Sequence, residues 1–173
     1  MKQKCVFLDR DGVLNEDCTD YVYRVEDLIV PAGVVEGLKQ LKDAGYLLIV
    51  ITNQAGIAKG MYERADVWKC YEHFQQQCGY LLDDLYFCPH HPDHNSRSLL
   101  RKPESLMLEK AMAKHNIDPA ASWMVGDRHR DVQAGQKAGV KTIQITATAQ
   151  ESIGDCHALN FKEVAQFVMN EAV

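Results

Sequence analysis

Residues 5–12 read CVFLDRDG, four apolar positions followed at once by two acids, a base and a glycine. Cys5 to Leu8 is too short a run for a helix and fits a strand buried on both faces. Side chains two apart on an extended segment point the same way, so Asp9 and Asp11 are expected to face one spot and Arg10 another. Two carboxylates so placed repel each other unless a cation lies between them, and oxygen ligands suit Mg²⁺. Taken alone, DRDG is equally an ordinary polar turn, because Asp and Gly are common turn residues.

The strand-then-turn pattern recurs along the chain. GVVEGLKQLKDAG (33–45) carries Val34, Val35, Leu38 and Leu41 at helical spacing and stops at Gly45. YLLIVITN (46–53) is a second buried strand, and ERADVWKCYEHFQQQCG (63–79) a helix with Val67, Cys70, Tyr71 and Phe74 on one face. LLDDLYFCP (81–89) is a third strand interrupted by Asp83 and Asp84, and ESLMLEKAMAKHNI (104–117) a third helix entered after Pro103. SWMVGD, DVQAGQKAG, VKTIQIT and FKEVAQFVMNEA then give strand, helix, strand and closing helix. This βαβα order predicts an α/β, Rossmann-like three-layer fold with a central parallel sheet and no large cap domain. In such sheets ligands bind beyond the carboxyl ends of the strands.

The chain has 173 residues, 46% of them apolar, and a net charge of −5, which predicts one domain over residues 1–173. The acidic balance argues against nonspecific nucleic-acid binding, so an anionic ligand would need a local positive pocket. No stretch approaches the roughly 20 apolar residues of a membrane span, and MKQKC leads into a strand rather than a signal-peptide core. A cytoplasmic location is expected. The six cysteines have no paired spacing and predict reduced thiols. No heptad or unpartnered apolar helix is evident, so a monomer is expected.

Three further strand ends carry chemistry. ITNQAG (51–56) places a hydroxyl at Thr52 and amides at Asn53 and Gln54, neutral groups suited to phosphate oxygens beside a metal. RKPE sets Lys102 before a proline, and MVGDRHRD (124–131) ends a strand with Asp127 and repeats an acid at Asp131. Each is ordinary capping or turn chemistry by itself. Chance explains the set of them poorly.

FLDRDG, ITN, RKP and GDRHRD, in that order, resemble the four motifs of the haloacid dehalogenase superfamily. FLDRDGVLN, TNQAGIAKG, CPHHP and RKP resemble most the branch of heptose-bisphosphate 7-phosphatases and histidinol-phosphate phosphatases. The resemblance implies a Mg²⁺-dependent phosphatase that removes the 7-phosphate of D-glycero-D-manno-heptose 1,7-bisphosphate in the ADP-heptose route to lipopolysaccharide core. Histidinol phosphate or another small phosphomonoester is the alternative substrate, and a non-catalytic module of the same fold a third reading. It also implies that Asp9 is the nucleophile, forming an aspartyl-phosphate, and that Asp11 protonates the leaving alkoxide and later activates water. Mg²⁺ would be held by Asp9, the main-chain carbonyl of Asp11 and Asp127, with Asp131 orienting a metal-bound water or Lys102. Lys102 and Thr52 would stabilise the transferring phosphoryl group.

Substrate contacts are expected from Asp17, Tyr21, Thr52, Asn53, Gln54, Arg101, Lys102 and Arg128. Asp17 and Tyr21 would meet sugar hydroxyls, and Arg101 would grip a second phosphate. Cys18 and Thr19 are expected only to shape their loop. The sequence departs from its relatives in one place. Many members of this branch hold a structural Zn²⁺ with C-x-H and a C-x-C pair before RKP. Here Cys88 and His90 match the first half, but HNSRSLLRKP has no cysteine, and His91 and His94 are the only nearby substitutes. A zinc-free loop is expected.

Overall fold

The structure, a computed structural model, describes residues 2–18 and 20–171. Six parallel strands, β1 (Cys5–Leu8), β2 (Leu47–Asn53), β3 (Asp84–Cys88), β4 (Trp123–Gly126), β5 (Lys141–Ile145) and β6 (Cys156–Ala158), form one sheet in the order β3-β2-β1-β4-β5-β6. Five helices connect and cover it: α1 (Val34–Asp43), α2 (Arg64–Cys78), α3 (Leu106–His115), α4 (His129–Ala138) and α5 (Phe161–Asn170).

The two-residue period of each strand sorts its side chains into two cores. Val6, Leu8, Leu48, Val50 and Val125 pack with Leu38 and Leu41 of α1, Phe74 of α2 and Val164 of α5. Cys5, Phe7, Ile49, Ile51 and Met124 pack on the other face with Met107 and Leu108 of α3 and Ala134 of α4. Every residue of β1 is therefore fully buried, which is why its sequence is continuously apolar rather than alternating. Each such large side chain contributes about 1.5–3 kcal/mol of burial.

From β1 the chain builds outward through β2 to β3, then returns to the other side of β1 for β4. The strand order thus reverses between β1 and β4, the place where doubly wound sheets open a crevice for ligands. Register puts Leu8 beside Val50 on one side and Val125 on the other. The next residues along, Asp9 after β1 and Asp127 after β4, emerge at this crevice.

Two details differ from the sequence reading. The sheet has a sixth strand, β6, only three residues long and joined to β5 at the edge. Helix α3 starts at Leu106 rather than at Glu104, so the turn that holds Lys102 and Pro103 runs on to Ser105. All six cysteines are free thiols, and no described helix is long and apolar enough to cross a membrane.

Candidate active site

Asp9 follows β1 at the crevice, and its Oδ1 accepts from the Arg10 backbone N–H at 2.8 Å. The side chain lies on the α3 and α4 side of the sheet, where it meets Lys102 Nζ at 2.9 Å. Lys102 reaches Asp131 Oδ1 at 2.7 Å and donates to the Ile51 carbonyl, also at 2.7 Å. Its side chain is completely buried. Burial works against its charge, but Asp131 and Asp9 outweigh that and hold the Lys102 pKa above its ordinary value. The ammonium thus donates to one carbonyl and forms ion pairs with two carboxylates.

Asp131 does two jobs. Its Oδ1 meets Lys102, and its Oδ2 accepts from the Arg128 backbone N–H at 3.0 Å, capping the start of α4. The cap and the ion pair together hold the carboxylate, and with it the lysine.

Asp9, Asp127 and Asp131 offer ligand oxygens that all lie within 4.8 Å of one another, the one such group of three or more His, Cys, Asp or Glu among the described residues. Burial and then the charge of Asp131 push the Asp9 carboxyl up to about 7, against the pull of Lys102. The same two causes raise Asp127 to about 6, with Arg128 opposing. Asp127 Oδ1 is buried without a hydrogen-bond partner. Three carboxylates against the Lys102 ammonium and the Arg128 guanidinium leave a net negative charge in a buried crevice when all are ionised, an arrangement that a divalent cation would neutralise.

Gly12 closes against this group. Its φ of +83° is a left-handed conformation that suits glycine, and a Cβ there would lie 2.4 Å from Asp127 Oδ2. The turn after Asp9 is therefore pressed directly onto Asp127.

The carboxylates of Asp9 and Asp11 do not converge as alternation predicts. The strand ends at Leu8, and residues 10–15 form a tight turn in which the backbone N–H groups of Leu14 and Asn15 donate to the Arg10 carbonyl. Asp11 Oδ1 accepts from Arg10 Nη2 at 2.8 Å and from Asn15 Nδ2 at 3.0 Å, while its Oδ2 accepts from Gln54 Nε2 at 3.2 Å. Its main-chain carbonyl remains the group it would offer a cation. Arg10, buried on the α2 side, also donates to the Val22 carbonyl and so ties the turn to the loop after it.

The other expected residues divide. Thr52 is buried at the end of β2, and its Oγ1 accepts from Gln54 Nε2 at 2.9 Å. Asn53 is a clamp: its Nδ2 donates to the Lys102 carbonyl and its Oδ1 accepts from the Lys102 N–H, both at 3.0 Å. Both ends of that amide are engaged by the Lys102 main chain, so Asn53 positions Lys102 and keeps one Nδ2 hydrogen beyond that clamp.

Arg128 bridges Asp17 at 2.9 Å and Asp127 at 3.1 Å, which joins two of the expected sugar and phosphate contacts to each other. Tyr21, with φ +66°, sits in the loop beneath Lys59, whose Nζ is 5.0 Å from its ring. Cys18 is exposed in this loop, and Thr19 lies outside the described residues. Arg101 donates to the His90 carbonyl at 3.3 Å, and burial together with the charge of Arg130 lowers its guanidinium pKa. A cation disfavoured by its surroundings is one that an added anion would stabilise. Cys88 is buried at the end of β3, and in the loop beyond it His90 Nδ1 contacts Asn95 and Ser96 while the rings of His91 and His94 lie 5.2 Å apart.

A HAD-hydrolase-like family model matches residues 99–163. The D-glycero-beta-D-manno-heptose-1,7-bisphosphate 7-phosphatase of Haemophilus ducreyi is 41% identical over 158 residues, covering 87% of this chain and 86% of its own length. The chain belongs to the heptose-bisphosphate phosphatase family. Another member, the D-glycero-alpha-D-manno-heptose-1,7-bisphosphate 7-phosphatase of Photorhabdus laumondii, is 39% identical over 155 residues, with coverage of 85% and 84%. The D,D-heptose 1,7-bisphosphate phosphatase of B. bronchiseptica, crystallised with magnesium and phosphate, superposes with a TM-score of 0.88 at 27% identity. That alignment covers 98% of this family member and 99% of the other.

Sequence reasoning missed Tyr62 and the structural roles of Arg10, Asn15 and Asn53. The fate of Arg10 was partly signalled, since a residue between two site acids must turn to the opposite face. Tyr62 carries no local signal, because its partner Gln54 is reached only through the fold of the intervening turn.

Proposed function

We propose that this chain is a Mg²⁺-dependent phosphatase that removes the 7-phosphate of a D-glycero-D-manno-heptose 1,7-bisphosphate through an aspartyl-phosphate on Asp9. The observation that carries the reading is the buried group of Asp9, Asp127, Asp131 and Lys102 at the sheet's switch point. Its excess negative charge and the orphan Asp127 Oδ1 fit a divalent cation, and the names of the relatives supply the substrate class.

Asp9, Asp127 and the Asp11 carbonyl would hold the ion. Bound there, Mg²⁺ screens the attack of a carboxylate on a phosphate dianion and polarises the phosphoryl oxygens. Lys102 holds Asp9 in place and supplies positive charge beside the transferring group, while the Thr52 hydroxyl donates to one of its oxygens. Asp11 gives its proton to the leaving sugar oxygen, then takes one from the water that hydrolyses the aspartyl-phosphate. The half-buried Arg101 sits before Lys102, where it would bind the distal phosphate. We read the whole chain as one catalytic domain, since the strands that carry these residues belong to a single sheet running from β1 to β6.

Phosphate release is the test. Wild type, with Asp9→Asn as the blank, is assayed in Mg²⁺ on both anomers of the heptose bisphosphate, histidinol phosphate and several sugar monophosphates. Both anomers are needed because relatives of similar identity carry the alpha and the beta name. The proposal expects one heptose bisphosphate to be preferred by at least about tenfold in kcat/KM, or about 1.4 kcal/mol. Preference for histidinol phosphate, or uniform weak turnover, would overturn the substrate assignment.

A further inference from the structure

Tyr62 lies outside every motif that builds the site, yet its hydroxyl is 2.6 Å from Gln54 Oε1. A carbonyl oxygen has no proton, so the phenol must donate. The amide nitrogen faces Thr52 Oγ1 at 2.9 Å and Asp11 Oδ2 at 3.2 Å, an acceptor that Arg10 Nη2 also meets at 3.1 Å, so the phenol completes an amide whose sense the carboxylate sets. The two N–H groups of Gln54 thus meet two acceptors. Were the amide reversed, its oxygen would face those two oxygens.

The ring of Tyr62 is itself tightly held. It is buried, stacks on Tyr23 at 5.1 Å and 9°, and meets Tyr21 edge-on at 6.1 Å. A Cβ on Gly56 would lie 2.0 Å from the ring, so the turn after β2 closes against it. Burial raises the phenol pKa beyond the ordinary range, which keeps the donor protonated.

We infer that Tyr62 is a positioning residue that orients Gln54, and through it the Asp11 carboxyl group, for proton delivery to the leaving oxygen. The inference rests on the reading of Asp11 as proton donor. In that step an Asp9 oxygen bonds to phosphorus and the bond from phosphorus to the substrate oxygen breaks. Its electron pair stays on that oxygen, which takes the Asp11 proton to leave as an alcohol. Asp11 becomes a carboxylate and Asp9 an aspartyl-phosphate. When the leaving group is an acidic phenol, the electron pair rests on a stable phenolate and no proton is required.

That difference supplies the readout. Full-length wild type, Tyr62→Phe and Asp11→Asn are compared in Mg²⁺ on a sugar phosphate and on p-nitrophenyl phosphate, with thermal unfolding of each. Asp11→Asn should lose about a hundredfold or more in kcat on the sugar phosphate and far less on the aryl ester. Tyr62→Phe, which keeps the ring, should lose about tenfold on the sugar phosphate, under about threefold on the aryl ester, and little in KM, a split that removes transition-state stabilisation. In a Gln54→Leu background it should add no further loss. Equal losses on both substrates, no loss on the sugar phosphate, or a further tenfold loss without Gln54 would each overturn the relay. If Asp11→Asn itself fails to separate the two substrates, the proton-donor reading falls and the relay with it.

Discussion

Replacing Lys102 with Met keeps the length of the buried side chain and removes its charge. The ammonium is 2.9 Å from Asp9 Oδ1 and 2.7 Å from Asp131 Oδ1, and both carboxylates are almost wholly shielded from water. Taking away one member of a buried ion pair leaves an uncompensated charge and costs about 3–5 kcal/mol. For a chain of this size, with about 2–4 °C of melting temperature per kcal/mol, that corresponds to a fall of roughly 6–20 °C. The loss should depend on pH. Lys102 is what opposes the upward push of burial and Asp131 on Asp9, so without it the Asp9 pKa rises beyond about 7. A carboxyl raised in the folded state contributes stability that is present below its ordinary range and lost as pH rises through the folded value. The variant should therefore lie furthest below wild type at about pH 8 and recover part of the deficit near pH 6. Calorimetric melting of both proteins without metal across this range is the assay. A Lys102→Met melting point within about 2 °C of wild type at pH 8, with no pH dependence in the difference, would refute the account of Lys102 as the counter-charge that holds the cluster together.

Gly12→Ala combines a left-handed backbone with a methyl 2.4 Å from Asp127 Oδ2, so it should destabilise by about 2–4 kcal/mol and weaken Mg²⁺ binding as well, measured by melting and by calorimetric titration. Mg²⁺ must displace protons from Asp9 and Asp127, raised to about 7 and about 6, so the melting-point increase it produces should be small near pH 5.5 and grow through pH 8; an increase that does not change with pH would count against both as ligands. Arg101→Ala should cost at least about tenfold more in kcat/KM on a heptose bisphosphate than on a simple monoester, and equal losses in steady-state assays would show that it reads no second phosphate.

The sequence predicts the layered fold well because β1, β2 and β4 are buried on both faces, and double burial leaves continuous apolar runs such as CVFL and LIVIT. It predicts β6 poorly because a three-residue edge strand with His157 at its centre needs no such run. The candidate acids were legible for a similar reason, as polar residues at the abrupt ends of apolar strands. Their orientations were not. Alternation holds only while the strand continues, and β1 stops one residue before Asp9, so the turn rather than the pleat aims Asp11. The work of Asn53 is equally hidden, because whether an amide donates to ligand or to backbone depends on a lysine main chain brought back from 49 residues away.

That returning lysine has a consequence for how the protein comes into being. Lys102 is held by Asn53 and Ile51 of β2, by Asp9 beyond β1 and by Asp131 on α4, four attachments from three separate parts of the chain. None of these can be made by a neighbouring stretch of sequence alone. In a chain still emerging from the ribosome Asp9 precedes its partners by many residues, and the pairing seen here cannot form until α4 has docked. Chains cut before α4 thus lack the group that holds Lys102 against Asp9, so this arrangement comes only with the sheet and α4 assembled together.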